Sequence, residues 1–324
     1  MPQLSRSRRF ARMKQRPRMN RRSGKEFPVS QSNPIVPPAK VVVIGLGNMG
    51  QPMAACLSRA GYQVVGFDTS SDARAKFSAA GGTAAATVAE AVSGATAVIT
   101  LLPDGKIVRA AIEGLKQHLT PGTVLIDMSS SAPVGTKALG EELIAAGFAF
   151  IDAPVSGGVK RAIDGTLAIM AGGDNATIDR AEPVLKAMGK SVFRTGPLGS
   201  GHAAKALNNY VSAAGLAAAV EAVAIGGRFG IDPNTLVDVF NASTGRNNST
   251  ENKIKQFVIP ESFTSGFSLA LMAKDIRTAD ELAHQIGVIA PLADEVASLW
   301  DRALKELGNA ADHTEIGRYL TAKR

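Results

Sequence analysis

The run Gly45-Leu46-Gly47-Asn48-Met49-Gly50 carries three glycines spaced G-x-G-x-x-G, and an acid, Asp68, stands 23 residues beyond Gly45. The spacing suits one kind of chemistry. Gly45 permits a tight turn, Gly47 lets backbone N–H groups approach a pyrophosphate, and Gly50 lets a helix pack closely on a strand. Asp68 can accept hydrogen bonds from an adenosine ribose. Three further segments hold candidate polar groups. In Asp152-Ala153-Pro154-Val155-Ser156-Gly157-Gly158, a hydroxyl and unobstructed N–H groups could hold a carboxylate. The same residues also read as an ordinary glycine loop. In the run 199–210, Lys205 and Asn209 stand four apart and share one helix face, with small residues ahead of the lysine leaving room for a ligand. Most helical lysines are simply solvated. In the run 267–276, Lys274-Asp275 reads as an ion pair or as a cofactor contact.

The elements around the glycines are those a dinucleotide requires. Val41 to Ile44 are four consecutive aliphatics, the pattern of a strand buried on both faces. A helix follows over 51–61, then an apolar strand over 63–67 that ends at Asp68. Strands are predicted at 95–102, 123–127, 148–152, 166–171 and 191–194. Helices are predicted at 134–146 and 175–188, and a glycine-bearing loop at 153–165. Repeated βα units with buried strands imply a mostly parallel, doubly wound Rossmann-type sheet. Beyond about 197 the pattern turns helical: an alanine-rich stretch over 201–230, then helices from Pro233, over 269–287 and over 291–307. Asp232 suits an N-cap and Pro233 a first helical position. The expected organisation is a basic disordered tail over 1–39, an α/β domain over 40–197 and an all-α domain over 198–324. The reacting site should form where the helical domain closes over the strand ends.

The chain has 324 residues and a net charge of +8. Residues 1–40 hold eleven Lys or Arg against the single acid Glu26, so the basicity belongs to the tail and the remainder is near neutral. Little apolar content marks the tail as disordered. It lacks the apolar core of a secretory signal. It reads as a dispensable extension, as a mitochondrial transit peptide interrupted by Pro17, or as an arm that binds nucleic acid. No uninterrupted apolar run is read as reaching membrane-spanning length. Cys56 is the only cysteine and reads as a small core residue. The four histidines show no ligand spacing, so no metal is expected. His202 could face the cofactor or be held locally by hydrogen bonds. Arg246 reads as a pocket residue or a surface loop residue.

Six segments in order resemble the β-hydroxyacid dehydrogenase family, which includes 3-hydroxyisobutyrate dehydrogenase and tartronate semialdehyde reductase. They are G-L-G-N-M-G-Q-P-M-A from Gly45, L-L-P-D from Leu101, D-M-S-S from Asp127, D-A-P-V-S-G-G from Asp152, G-x-G-x-x-x-K-x-x-x-N from Gly199 and K-D-I from Lys274. The resemblance covers about residues 40–320. It implies hydride transfer between a small 3-hydroxy acid and a nicotinamide cofactor, with Lys205 as general acid and base. Asn209 would bond the substrate and aim the lysine, and Ser156, Gly157 and Gly158 would grip its carboxylate. Leu102 and Pro103 would form the wall near the nicotinamide ribose, with Ser129 beside it. Lys274 would reach back toward cofactor and site. The cofactor loop would comprise Gly45, Leu46, Gly47, Asn48, Met49 and Gly50. Asp68 followed by Thr69-Ser70-Ser71 favours NAD, because a carboxylate repels a 2′-phosphate; Arg74 nearby keeps NADP open.

Alternatives stay in view. The same scaffold could reduce another small aldehyde, keto acid or imine, although relatives that reduce imines replace the lysine. A 6-phosphogluconate dehydrogenase resembles the N-terminal half but needs a longer helical domain. A non-catalytic NAD-binding adaptor would use the tail. The family commonly forms dimers or tetramers, so a homodimer or homotetramer is expected, without a membrane. A cytoplasmic location is expected, or a mitochondrial one if the tail is a transit peptide.

Overall fold

The structure is a computed structural model, and it describes residues 33–322. The chain opens with β1 (Lys40–Ile44), α1 (Gly50–Arg59), β2 (Gln63–Phe67), α2 (Ser71–Ala79), β3 (Thr83–Ala84) and α3 (Val88–Val92). β4 (Ala97–Thr100), α4 (Gly105–Leu115), β5 (Val124–Asp127), α5 (Pro133–Ala145) and β6 (Ala149–Asp152) continue the alternation. The α/β part ends with β7 (Val155–Ser156), α6 (Gly158–Asp164), β8 (Leu167–Gly172), α7 (Asn175–Lys186) and β9 (Gly189–Gly196). Helices follow: α8 (Ser200–Phe229), α9 (Pro233–Ala242), α10 (Asn248–Asn252), α11 (Leu269–Ile286), α12 (Pro291–Leu307) and α13 (Ile316–Thr321).

The strands form one sheet in the order β3-β2-β1-β4-β5-β6-β8-β7, with β9 beside β8. From β3 to β6 every pairing is parallel. The strand order reverses between β1 and β4, which opens a crevice at their C-terminal ends. Alternate side chains of β1 serve opposite faces. Val41 and Val43 pack with Met53, Leu57 and Ile99 beneath α1. Val42 and Ile44 pack with Val108, Leu125 and Leu139 on the other face. That two-sided burial explains the unbroken aliphatic run. A third core, around Leu216, Val220, Ile276, Trp300 and Ile316, belongs to the helices. Asp232 caps α9 by accepting from Thr235 N, with Pro233 in its first turn, as its sequence predicts.

Three expectations need correction. Segment 153–165 is not a plain loop: it contains β7 and α6, two elements too short to show a periodicity in sequence. The sheet is mostly parallel, as expected, and mixed only at one side, where β8 runs antiparallel to β6 and β7. Residues 33–39 do not belong to a disordered tail. Ile35 is buried among Val41, Tyr62 and their neighbours; its N–H donates to Arg180 O, and Tyr62 Oη donates to its carbonyl. An Ile-Val pair among Pro, Asn and Ser carried no periodic signal. The readings of residues 1–32 lie outside the described residues. Finally, α8 is long and apolar enough, by length and composition alone, to cross a membrane. Alanine and glycine raise its hydropathy without the long aliphatic block that the eye seeks. Only 33% of that stretch is buried, and Leu207, Val211, Ile225 and Phe229 stand exposed along it.

Candidate functional site

Each glycine of the G-x-G-x-x-G run meets a different constraint. Gly45 has φ +102°, and a Cβ there would lie 2.2 Å from Leu101 O. A Cβ on Gly50 would lie 1.9 Å from Gly45 O, so only hydrogen lets α1 start against the turn. A Cβ on Gly47 would meet nothing within 4 Å. Gly47 and Asn48 are exposed, and α1 has neither a side-chain cap nor an acid in its first turn. The start of α1 is therefore an open, uncapped set of N–H donors, which fits a pyrophosphate. A cavity of about 530 Å³ opens here, lined by Leu46, Gly47, Asn48, Ser70, Lys76 and Val159 among others. Lys205 is not among its walls.

Asp68 closes the far side of the loop. Its Oδ2 accepts from Leu46 N at 2.8 Å and its Oδ1 from Ser70 N at 2.9 Å. Each carboxylate oxygen keeps a lone pair for a ribose hydroxyl. Arg74 is turned elsewhere: its Nη1 donates to Asp68 O at 2.6 Å, and its guanidinium lies 5.9 Å from the Phe67 ring centre. The arginine that kept a 2′-phosphate in view is thus engaged with backbone and ring.

The wall residues join at the ends of β4 and β5. Leu102 N donates to Ser129 Oγ at 2.9 Å. Buried Asp127 holds the turn that follows it, accepting from Thr100 Oγ1 (2.9 Å), Ser129 N (3.0 Å) and Ser131 Oγ (3.1 Å). Lys274 reaches across from α11 and donates to Pro103 O at 3.1 Å and Ser130 O at 2.9 Å, with Asp275 Oδ1 at 3.7 Å from its Nζ. Of the two sequence readings of Lys274-Asp275, the ion pair describes what the side chain does here, and its two hydrogen bonds go to main-chain oxygens.

Lys205 lies one turn into α8. Its Nζ donates to Val155 O at 2.9 Å, one residue before Ser156. Burial pushes its ammonium below the usual lysine range, and Lys274 adds to this, while Asp275 opposes it. Asn209 is buried and donates from Nδ2 to Asp275 Oδ2 at 2.6 Å. Asp275 Oδ1 accepts from Ser130 Oγ at 2.7 Å. Gly157 and Gly158 are exposed, both with positive φ, and a Cβ on Gly158 would meet nothing within 4 Å. The lysine holds the strand that carries Ser156, the asparagine is tied to Asp275, and Val159, next after Gly158, lines the cavity at the glycine loop. Leu101 to Pro103 link that loop to α11: Leu101 O lies against Gly45, and Pro103 O holds Lys274.

Sequence reasoning undervalued several residues. Asp275 and Ser130 tie Asn209 to the wall, yet were read only as an ion-pair partner and one of three serines. Asp127 and Asp152 are register partners on neighbouring strands, both buried. The available signal was an acid closing each of two apolar strands. His202 is also buried, bonded not locally but to Thr136 and Ser129. Arg246 is exposed, 3.8 Å from Glu251. Among the described residues, Asp280, His284 and Asp294 bring three potential metal-ligand atoms within 4.8 Å. Two of the three are exposed, and the cluster is accounted for as ion pairing, His284 Nε2 lying 3.2 Å from Asp294 Oδ1.

A Rossmann-ordered sheet with an open glycine loop, capped by helices that deliver a half-buried lysine, defines a dinucleotide-binding α/β protein with a reactive crevice. Comparison with known proteins narrows the class. Residues 40–196 match the family model for the NAD-binding domain of 6-phosphogluconate dehydrogenase. Residues 199–320 match that described as the NAD-binding region of NADP-dependent 3-hydroxyisobutyrate dehydrogenase. An NAD-dependent L-serine dehydrogenase of Pseudomonas aeruginosa is 35% identical over 276 residues, 82% of this chain and 93% of that protein. A probable 3-hydroxyisobutyrate dehydrogenase of Mycobacterium tuberculosis is 36% identical over 282 residues, 85% of this chain and 94% of that one. The solved structure of the Mycobacterium tuberculosis 3-hydroxyisobutyrate dehydrogenase with L-serine superposes with a TM-score of 0.83 at 34% identity, covering 88% of this chain and 99% of that one. The chain belongs to the β-hydroxyacid dehydrogenase family.

Proposed function

We propose that this chain is an NAD-dependent dehydrogenase that interconverts a small 3-hydroxy acid and its semialdehyde, with Lys205 as the proton-transfer group. The observation that carries the reading is the Lys205 ammonium: half-buried, lowered in pKa, and held 2.9 Å from Val155 O beside the Ser156 turn. Gly45 to Gly50 would hold the pyrophosphate, Asp68 the adenosine ribose, and Leu102, Pro103 and Ser129 the nicotinamide end. The bound dinucleotide supplies the hydride acceptor for oxidation and the donor for reduction.

The protein groups do the rest. Ser156 Oγ and the N–H groups of Gly157 and Gly158 receive the substrate carboxylate, which places the carbinol carbon by its distance from that anchor. Lys205 Nζ takes the hydroxyl proton during oxidation and returns it to the developing alkoxide during reduction. A lowered pKa raises the neutral fraction of the amine near neutral pH, where oxidation needs it. Asn209, anchored on Asp275, bonds the substrate oxygen and keeps the lysine aimed. The position of Asp68, with Arg74 turned onto the backbone, supports NAD over NADP.

The relatives named for L-serine and 3-hydroxyisobutyrate support a substrate with a carboxylate two carbons from the hydroxymethyl group. An initial-rate screen tests this: NAD and NADP against 3-hydroxyisobutyrate, L-serine, D-glycerate, 4-hydroxybutyrate and threonate, with semialdehydes in reverse. A rate with a 3-hydroxy acid, abolished in Lys205→Ala, supports the reading; a rate only with 4-hydroxybutyrate replaces it.

We also propose that a second copy of the chain covers the α8 face bearing Leu207, Val211, Ile225 and Phe229, giving a homodimer or a homotetramer built from it. That stripe is too apolar to be left in water. Light scattering tests it: Val211→Glu with Phe229→Glu should yield a monomer, and an unchanged mass removes this face from the assembly.

A further inference from the structure

His202 stands three residues before Lys205, one turn earlier on α8 and on the same face. Its imidazole is buried between two buried carboxylates, with Asp127 Oδ2 at 3.7 Å from Nε2 and Asp152 Oδ2 at 3.6 Å from Nδ1. Nε2 lies 3.1 Å from Ser129 O, which can only accept, so Nε2 carries a proton. Nδ1 lies 2.9 Å from Thr136 Oγ1. The backbone adds a second tie: Asp152 accepts from Gly199 N and from His202 N, both at 2.8 Å. A Cβ on Gly201 would lie 2.2 Å from Met170 O, so the first turn of α8 is seated directly on β8.

These contacts converge on a single relationship. Asp127 orders the turn containing Ser129, which in turn fixes Leu102 N at the nicotinamide wall. Asp152 orders the start of α8, and its own strand leads into the Val155 carbonyl that holds Lys205. His202 is the side chain that spans from one to the other, through Ser129 O. The protein has no reason of stability alone to bury an imidazole and two carboxylates here, since buried polar clusters seldom outperform apolar packing.

We propose that His202 is a positioning residue: by bridging the Ser129 turn and the first turn of α8 it sets the distance between the nicotinamide wall and the Lys205 amine. It touches neither substrate nor cofactor. The proposal rests on the dehydrogenase reading and deepens it, by naming the part that holds the two halves of the site in register. The chemical demand is for a side chain that donates to Ser129 O and accepts from, or donates to, Thr136 Oγ1. A glutamine amide can do both without the ring, whereas leucine fills the space and does neither.

The test uses the full chain, with 3-hydroxyisobutyrate carrying deuterium on its hydroxymethyl carbon and the undeuterated compound, or L-serine labelled likewise if that is the better substrate. His202→Leu should lower kcat tenfold or more, since a misplacement of about 1 Å can cost about a hundredfold. Its isotope effect on kcat should rise above that of the wild type, because hydride transfer becomes the slow step. NADH affinity should stay within threefold, because the glycine loop and Asp68 are untouched. His202→Gln should recover most of the lost kcat. If His202→Leu fails to fold, Thr136→Val removes one partner from a side chain of the same shape and should show the same rise in isotope effect with a smaller loss of rate. A defect of folding alone would reduce the active fraction and leave the isotope effect of the surviving molecules unchanged; that result overturns the proposal. So does a His202→Leu enzyme with wild-type kcat, or a His202→Gln enzyme as slow as His202→Leu. A wild type inert toward every compound of the screen would remove the dehydrogenase reading and this inference with it. An active wild type with an indifferent His202→Leu removes the inference alone.

Discussion

Asn209 on α8 donates its amide N–H to Asp275 on α11 at 2.6 Å, and the other carboxylate oxygen of Asp275 accepts from Ser130 at 2.7 Å. One buried acid thus joins both helices to the turn that follows β5. The same carboxylate raises the pKa of Lys205 against the effect of burial. Replacing it with Asn keeps the shape and removes the charge. Asp275→Asn should lower kcat about tenfold, the worth of a hydrogen bond to a charged group. It should also move the ascending limb of the pH–rate profile for oxidation to lower pH, because the neutral amine is then reached sooner. A profile with an unmoved midpoint would detach Asp275 from the lysine.

Lys205 should trade stability for turnover. Its folded pKa lies below the unfolded one, so between those two values the folded state binds fewer protons than the unfolded state. Stability therefore rises with pH across that window, and the cost of burying the amine is greater on its acid side than on its alkaline side. Lys205→Met should cut kcat by about a hundredfold or more. At pH 7 it should raise Tm by about 2 °C or more. Thermal melts at pH 7 and pH 10.5 check the sign: the gain should shrink at the higher pH.

The three glycines of the loop should fail in different ways. Gly50→Ala drives a Cβ to 1.9 Å from Gly45 O, and should lower Tm by several degrees or prevent folding. Gly47→Ala meets nothing within 4 Å, and should leave Tm near the wild type while weakening NAD about tenfold or more. Paired melting and fluorescence titrations separate the two, and equal NAD affinity in Gly47→Ala would mean that the loop does not approach the pyrophosphate.

Asp68→Ala should raise the KM for NAD about tenfold while leaving that for NADP the same or lower, since a charge-assisted bond to a ribose hydroxyl is lost and a repulsion removed. The freed Leu46 N will add some loss of loop order common to both cofactors. The diagnostic quantity is therefore the ratio of kcat/KM values, and a constant ratio would refute the ribose role.

Truncation should test the part that Ile35 plays in the core. Removing residues 1–32 should leave Tm and turnover unchanged. Removing residues 1–39 deletes Ile35, whose side chain is in the core and whose N–H bonds to Arg180 O. Loss of a buried isoleucine costs about 2–5 kcal/mol, and a fall in Tm of about 5 °C or more is expected. Equal melting curves for the two truncations would contradict the burial of Ile35.

What was legible in the sequence follows from range. β1, β2, β4, β5 and β6 announce themselves as apolar runs bounded by turns, a local pattern, whereas β3 has only two residues and no such signal. The segments at Gly45, Asp152, Gly199 and Lys274 were visible for the same reason. Ile35 was not, because an isolated Ile-Val pair has no period. β7 and α6 were too short to have one. The bridge of Asp275 to Asn209 and Ser130, and that of His202 to Thr136 and Ser129, span 66 to 145 residues, and no local rule pairs them. Their ingredients were visible as acids and a histidine inside otherwise apolar stretches, which signals that a buried polar partner must exist but not which one.

Lys274 holds the wall through two main-chain oxygens, those of Pro103 and Ser130. Neither contact depends on which side chain stands at position 103 or 130, only on the path of the chain. Across descendants of this sequence, position 103 could drift freely while the lysine stayed, and position 130 would answer to Asp275 rather than to Lys274. A search for positions that change together would then pass over this crossing, one of the few places where α11 grips the sheet domain. The shape of two turns, rather than any pair of letters, is what heredity has to preserve there.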